Sequence, residues 1–177
     1  AAGDPIGRLH LLFILWRAQR VQGELTAAAA TGHALYELAQ ATDHAQYRTM
    51  GLAALGSAQL LSGKLAEAAA SLQQALALGE RSGYAETALH GLGLLALCAF
   101  RRGDHSEAES LAERSLQVID IPMFAHDASY EGYPACVETF VFLHANESDP
   151  IRKHKLQISL TRAMSVLKRF SAIFPNG

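Results

Sequence analysis

The 177-residue chain carries 15 Lys and Arg residues against 17 Asp and Glu residues, which gives a formal net charge of −2. This balance removes any whole-molecule electrostatic argument for binding nucleic acid or an anionic membrane. Half of the residues are hydrophobic and 18% are charged, a composition that is typical of a water-soluble protein rich in Ala and Leu helices.

The two cysteines, Cys98 and Cys136, lie far apart and form no C-x-x-C motif. This spacing predicts buried core thiols in a reducing compartment rather than a disulfide or a metal site. The sequence also shows no apolar run long enough to span a bilayer and no secretory leader, so a cytoplasmic location is expected. Because the chain begins at Ala1 without a methionine, we expect it to be a piece of a longer protein.

Apolar residues at helical spacing predict eight helices in chain order. Asp4-Pro5 is a typical helix start, with a capping oxygen followed by proline at the first helical position, and Asp149-Pro150 repeats it. Asp104 and Glu107 have the spacing of a capping box. Residues 123–131 are expected to form an ordered loop or a short turn of helix. The predicted helices cover about residues 6–22, 25–41, 44–62, 65–81, 84–102, 106–118, 133–145 and 151–173.

A 40-residue period runs through the first three helix pairs. Glycines that would end a helix recur at this interval, and so do small residues five positions later. Such a period indicates a solenoid, in which each helix pair buries its apolar face against the next. In the central unit, Gly56 would let a neighbouring backbone approach closely. The recurring residues are Gly23, Gly63 and Gly103, and Ala28, Ala68 and Ala108.

These positions resemble the tetratricopeptide repeat (TPR). The central unit matches the large, small and apolar signature positions of that family with Leu52, Leu55, Gly56, Gly63, Ala68, Leu72 and Ala75. The first unit matches with Trp16, Gly23 and Ala28, and the third with Leu92, Leu95, Ala96, Gly103 and Ala108. The chain departs from the family in its repeat length and at Gln59 and Ala99, where an aromatic residue is expected, and it lacks the closing proline.

The resemblance implies an all-α fold, a right-handed α–α superhelix of about four antiparallel helix pairs. It also implies a single domain over residues 1–177, with repeats at about 5–42, 43–83 and 84–120 and a divergent pair at 130–174. The ending LKRFSAIFPNG and the opening LFILWRAQRVQGEL are in turn similar to stretches in the helical-repeat tails of bacterial class III adenylate/guanylate cyclases and related multidomain ATPases. This second resemblance implies a signalling context.

The sequence offers little support for catalysis. Its eight histidines have no metal-ligand spacing, and no glycine-rich phosphate loop follows a strand. The densest polar group is His126, Asp127, Tyr130 and Glu131. The basic residues of the last helix are interpreted as a solvated face, because aromatic residues for base stacking are not interleaved with them. We therefore expect a non-enzymatic protein without a cofactor.

The TPR resemblance implies that the first helix of each pair lines a concave surface. The predicted partner-binding residues are His10, Phe13, Arg17, Arg20, Met50, Ser57, Leu60, His90, Leu97, Phe100 and Arg101, with Ala53 and Gly93 also lining the surface. Their mixture of apolar groups and arginines fits an acidic, partly apolar segment of a protein partner. An ordinary core role for the apolar members is the alternative.

Three classes of function follow. The first is a non-catalytic interaction or regulatory module of a larger signalling protein, with protein or peptide partners and neither nucleic acid nor membrane as ligand. The second is a small-molecule sensor, as in long-repeat bacterial transcription activators, which needs an enclosed pocket where His126, Tyr130 or Trp16 converges. The third is a stand-alone enzyme. A homodimer is compatible with the first class.

Overall fold

The computed structural model describes the backbone of residues 4–83, 85–119 and 131–173. The predicted helices are all present, and the described residues contain no strand. The predicted loop at 123–131 lies outside these residues except for Glu131. The helices are α1 (Pro5–Val21), α2 (Leu25–Ala41), α3 (Ala45–Leu61), α4 (Leu65–Ser82), α5 (Ala85–Arg101), α6 (His105–Ile119), α7 (Gly132–Asn146) and α8 (Pro150–Ile173).

Both Asp-Pro pairs begin a helix as predicted. The Asp4 Oδ1 atom accepts a hydrogen bond from the backbone N–H of Ile6 at 3.0 Å, and Asp149 Oδ1 accepts one from Ile151 at 3.0 Å. Each carboxylate thus satisfies a backbone donor that has no partner within the helix. These local bonds fix the starts of α1 and α8.

The capping box at α6 is formed by half. Asp104 Oδ1 accepts from the backbone N–H of Glu107 at 3.0 Å, as its spacing predicts. The Glu107 side chain does not reach back to Asp104. It accepts instead from the guanidinium of Arg102 at 2.9 Å, while the Asp104 N–H donates to the carbonyl of Ala99. An ion pair from the preceding turn has replaced the second capping bond.

The three turn glycines occupy equivalent positions, which confirms the 40-residue period. Gly23, Gly63 and Gly103 have φ angles of 78°, 76° and 86°. In each turn the glycine N–H donates to the carbonyl three residues earlier, and the next N–H donates to the carbonyl five residues earlier. This pattern ends a helix on a left-handed residue. The three small residues that follow are fully buried, as predicted: Ala28, Ala68 and Ala108.

The same turn also occurs halfway between the first two glycines. Asp43 has a φ of 50°, and its N–H donates to Gln40 while that of His44 donates to Ala39. Gly83, with a φ of 73°, falls a further 40 residues along the chain. The left-handed residues at 23, 43, 63, 83 and 103 show that the smallest repeating unit is one 20-residue helix and turn. The sequence conceals this shorter period because Asp43 is not a glycine.

We expect Asp43→Gly to stabilise the protein by about 1 kcal/mol, since a left-handed conformation is costly for residues with a Cβ. The loss of the exposed Asp43–Arg48 ion pair, at 4.0 Å, should subtract little. Urea unfolding followed by circular dichroism would measure the change. The reciprocal variant, Gly63→Asp, should destabilise the protein by a similar amount, and a stabilising effect of that variant would contradict the argument.

The chain forms two compact units, Ala1–Thr87 and Ala88–Gly177, and the boundary between them falls in the first turn of α5. In unit 1 each of α1 to α3 packs on the next helix, and α1 also contacts α3. The backbones of α2 and α3 lie in direct contact at two glycines. A Cβ on Gly51 would lie 2.7 Å from the Cα of Tyr36, and one on Gly32 would lie 2.8 Å from the backbone nitrogen of Leu55.

Gly56 allows the close approach that its size predicts. A Cβ at this position would lie 2.6 Å from the Leu72 side chain and 3.3 Å from the Leu72 backbone nitrogen. In unit 2, α6 packs on α7 and α8, and α7 packs on α8. The backbones of Gly93 in α5 and Gly132 in α7 meet so closely that a Cβ on Gly93 would collide with the carbonyl group of Gly132. The single-domain organisation of residues 1–177 stays a prediction.

Candidate partner-binding surfaces

Trp16 organises the packed side of α1 in unit 1. Its side chain is only 4% exposed, and its indole N–H donates to the Ala54 carbonyl of α3 at 3.1 Å. Phe13 stacks on the Trp16 ring with 5.5 Å between centroids, and the Arg20 guanidinium lies 5.8 Å from the ring centroid. Trp16 is therefore a core residue, which removes the evidence it could offer for a small-molecule pocket.

The structure brings several of the predicted partner-binding residues of unit 1 to its surface. His10 is exposed, and its Nδ1 atom lies 3.3 Å from the Tyr47 hydroxyl of α3. Phe13, Arg17 and Met50 are half-buried, as is Arg20. The helices α1 and α3 thus present a mixed surface of aromatic, apolar and cationic groups, which we call the α1–α3 surface.

Ser57 and Leu60 correct the prediction for α3. Both are almost fully buried, so neither offers a partner any surface in this structure. The TPR resemblance implies that both residues face the concave surface, whereas in this structure both side chains are buried. Leu60 takes the core role that was the alternative for the apolar members.

His90 and Leu97 correct the prediction for α5 in the same way, since both are buried. His90 Nε2 lies 3.9 Å from a carboxylate oxygen of Glu131, which is itself 9% exposed and directly precedes α7. A buried carboxylate is tolerated when an ionic or hydrogen-bonding partner faces it. The pair therefore joins α5 to the start of α7. This contact between helices gives Glu131 a structural role.

Phe100 and Arg101 remain near the surface of unit 2, but both have partners there. Phe100 stacks between His105, at a centroid distance of 5.0 Å, and Phe142, at 5.1 Å. The Arg101 guanidinium donates to Glu138 at 3.2 Å. Sequence reasoning missed the roles of Phe142, His105 and Glu138. No local signal could reveal Phe142 or Glu138, because 42 residues separate Phe142 from Phe100 and 37 separate Glu138 from Arg101.

A polar pair recurs with the 40-residue period. The Thr31 hydroxyl donates to the Gln19 side-chain oxygen at 2.7 Å, and Ser71 donates to that of Gln59 at 2.8 Å. Gln59 stands where the TPR signature has an aromatic residue, so a hydrogen bond between helices replaces ring packing there. The sequence could have shown this pair, since its members recur 40 residues apart.

The basic residues of α8 are partly engaged by α6. Glu109 accepts from Arg152 at 2.7 Å and from Lys155 at 3.1 Å, and Arg152 also contacts Glu147 at 3.3 Å. Burial raises the pKa of Glu109, but the hydrogen bonds and charges of Lys155 and Arg152 outweigh it and hold that pKa below its ordinary value of 4.5. Glu109 therefore helps to fix α8 against α6.

We expect Glu109→Gln to lower the free energy of unfolding at pH 7 by less than about 1 kcal/mol, because the cations are solvated. The folded-state pKa of Glu109 is depressed, so its stabilisation is present above the unfolded pKa and is lost as the pH falls through the folded value. The difference between variant and wild type should thus shrink below about pH 4.5. Urea unfolding at pH 7 and pH 3 would measure it, with Glu37→Gln at an exposed position of α2 as control.

Both cysteines are buried, as predicted, and neither forms a disulfide. Burial raises the pKa of Cys136 to about 12, with the nearby Glu113 charge adding to this effect and a hydrogen bond to Ser115 opposing it. Its thiol therefore stays protonated at neutral pH and is a poor nucleophile. Within the described residues, no cluster of three metal-ligating side chains forms, and no helix has the length and apolarity of a membrane span.

Consecutive helices joined by recurring turns define an all-helical TPR-like repeat protein, and solved structures confirm this fold. Over 98% of its length, the chain is similar to BtubC from P. vanneervenii, with a TM-score of 0.60, 15% identity and 85% of that chain covered. It is also similar to a putative kinesin light chain with nearly identical TPR-like repeats from Podosopora anserina. There the TM-score is 0.59 at 19% identity, with 97% of this chain and 96% of that chain covered.

A second crystal structure of the Podosopora anserina repeats, that of a single-substitution variant, matches with a TM-score of 0.57 at 20% identity, covering 94% of each chain. No family model and no curated protein matches the sequence. At such identities the likeness establishes the fold alone.

Proposed function

We propose that the chain is a non-catalytic, cytoplasmic protein-interaction module that belongs to a larger, cyclase-like signalling protein. Its ligand is an acidic, partly apolar segment of a protein partner. The observation that carries this proposal is the α1–α3 surface, where Arg17 and Met50 are half-buried on a TPR-like scaffold beside the exposed His10. A guanidinium next to apolar groups is well suited to bidentate pairing with a carboxylate.

The contacts of the predicted arginines indicate where the acidic segment binds. Arg101 already pairs with Glu138, so an incoming carboxylate would have to displace this contact. Arg20 lies over the Trp16 ring, which restrains its guanidinium. Arg17, half-buried on α1, is the arginine of the α1–α3 surface through which the proposal is tested first.

Capture from a cell lysate by the immobilised chain, followed by mass spectrometry, tests the proposal. Arg17→Ala should reduce capture of the main partner at least about tenfold, as for a hot-spot residue. Arg81→Ala, at an exposed position of α4, is the matched control. If Arg17→Ala captures the partner as wild type does, with helicity intact, the α1–α3 surface is not the binding site. Turnover of a nucleotide by the pure chain would contradict the non-catalytic role.

A further inference from the structure

The outward side of α1 is a stripe of exposed apolar side chains. Leu11 is 65% exposed, Leu15 47% and Val21 76%, and Ile14 is exposed to a similar degree. Successive residues of an α-helix are rotated by about 100° around the helix axis, so these four side chains fall within an arc of roughly 120° around α1. Among the described residues of unit 1 outside α1, Leu61 is the only other exposed large hydrophobic residue. We call this feature the α1 stripe.

The internal repeat shows what kind of element such a face accepts. The residues that lie 40 positions after Leu11, Ile14 and Leu15 are Gly51, Ala54 and Leu55 of α3. That equivalent face of α3 is covered by α2, whose Gly32 lies against the backbone of Ala54 and Leu55. The α1 stripe is thus the counterpart of a helix-packing face. Because larger apolar residues replace the glycine and the alanine, an incoming helix would pack on side chains rather than on backbone.

The charges at the edges of the stripe define the chemistry of that helix. Arg8 is exposed at one edge, and Arg17 lies half-buried at the other. The segment Pro5–Val21 holds three arginines and no Asp or Glu. A helix with an apolar face and carboxylates along its edges is complementary to this arrangement.

We infer that the α1 stripe docks an amphipathic, acid-edged helix of a partner protein. This inference rests on the proposed interaction function and places a helical partner on the outward side of α1, which shares only Arg17 with the α1–α3 surface. A second copy of the chain is a poorer occupant, because two facing α1 helices would bring arginines together. An anionic membrane is also a poorer occupant of the stripe. Aromatic residues usually anchor a helix at a membrane surface, but Phe13 and Trp16 of α1 pack inward.

The probe is a fluorescein-labelled helical peptide of about 18 residues, or five turns, with Leu and Ala on one face and Glu along both edges. A matched peptide carries Lys in place of Glu. Fluorescence anisotropy with the full chain should show binding of the Glu peptide and at least about tenfold weaker binding of the Lys peptide. Absence of binding by the Glu peptide, or equal binding of both peptides, would overturn the inference.

Variants locate the site. Leu11→Gln with Leu15→Gln should weaken binding of the Glu peptide at least about tenfold. Ile151→Gln with Ile158→Gln, at exposed positions of α8, should not. Arg8→Glu with Arg17→Glu should weaken the Glu peptide and restore the Lys peptide, an exchange that no loss of folding could mimic. Unchanged peptide binding by the stripe variants would overturn the proposal.

Two further measurements decide between occupants. Sedimentation that reveals a dimer abolished by Leu11→Gln would assign the stripe to a second copy. Anionic vesicles that bind the chain more tightly than the Glu peptide does would assign it to a membrane. Either result would overturn the inference. Lysate capture that needs Arg17 but not Leu11 and Leu15 would keep the proposed function and reject the stripe. Failure of the wild-type chain to capture any partner would reject the proposed function itself.

Discussion

Gly93→Ala is expected to destabilise the protein by about 3 kcal/mol and to lower the thermal midpoint by roughly 6–12 °C. The added Cβ would collide with the carbonyl group of Gly132 and would lie 2.9 Å from the Gly132 Cα atom. Backbone atoms cannot rotate away as a side-chain end can, so α5 and α7 would have to separate. Thermal unfolding followed by circular dichroism measures the effect, while the fluorescence of Trp16, the only tryptophan, reports on unit 1 directly.

Gly7→Ala provides the matched control for this substitution. Its Cβ would meet only the Asp4 side chain, whose Oδ2 atom lies 2.9 Å away and can move. Gly7 is the third residue of α1, where the helical preference for alanine over glycine is at most roughly 0.5–1 kcal/mol. Gly7→Ala should therefore be neutral or stabilising. A Gly93→Ala variant as stable as Gly7→Ala would show that α5 and α7 do not meet as described.

Trp16→Ala is expected to cost about 3–5 kcal/mol, the range for removing a buried aromatic residue. The substitution removes the contacts of the indole ring with Phe13 and Ala28 and its hydrogen bond to the Ala54 carbonyl. Trp16→Phe keeps much of the packing. Its free energy of unfolding should fall by about 0.5–1.5 kcal/mol because the hydrogen bond is lost, and by a smaller amount because the packing is less complete.

Urea unfolding followed by circular dichroism compares these variants, since they lack the fluorescent residue. Val21→Ala, at a largely exposed position of the same helix, should stay within about 0.5 kcal/mol of wild type. If Trp16→Ala were as mild as Val21→Ala, Trp16 would not be the packing centre of α1. Its assignment to the core rather than to a ligand pocket would then fail.

The predicted partner-binding surface was only partly recoverable from the sequence. Arg17 and Met50 lie at the surface, as expected, but Leu60 and Leu97 are buried. The sequence pattern placed all of them on first helices, and a helical position has no exposure of its own until its neighbours are in place. For the predicted residues whose side chains are accessible, a role in partner binding stays a prediction.

The sequence by itself determined the helices and their period, because the forces involved are local. An Asp-Pro pair caps a helix within two residues, and a left-handed glycine ends one within five. The shorter, 20-residue period is hidden in the sequence because Asp43 adopts a left-handed conformation that glycine usually occupies. Apolar periodicity likewise indicated that Ala28 and its equivalents pack closely.

Only the tertiary structure decided which apolar faces are covered and which charges are engaged. Leu15 and Leu55 are the same residue type at equivalent positions of the repeat, yet Leu15 is exposed while the Leu55 backbone meets Gly32 of α2. Arg101 has Glu138 as its partner 37 residues away. Coverage and pairing depend on the helix that lies alongside, which a residue's own neighbours in the chain do not specify.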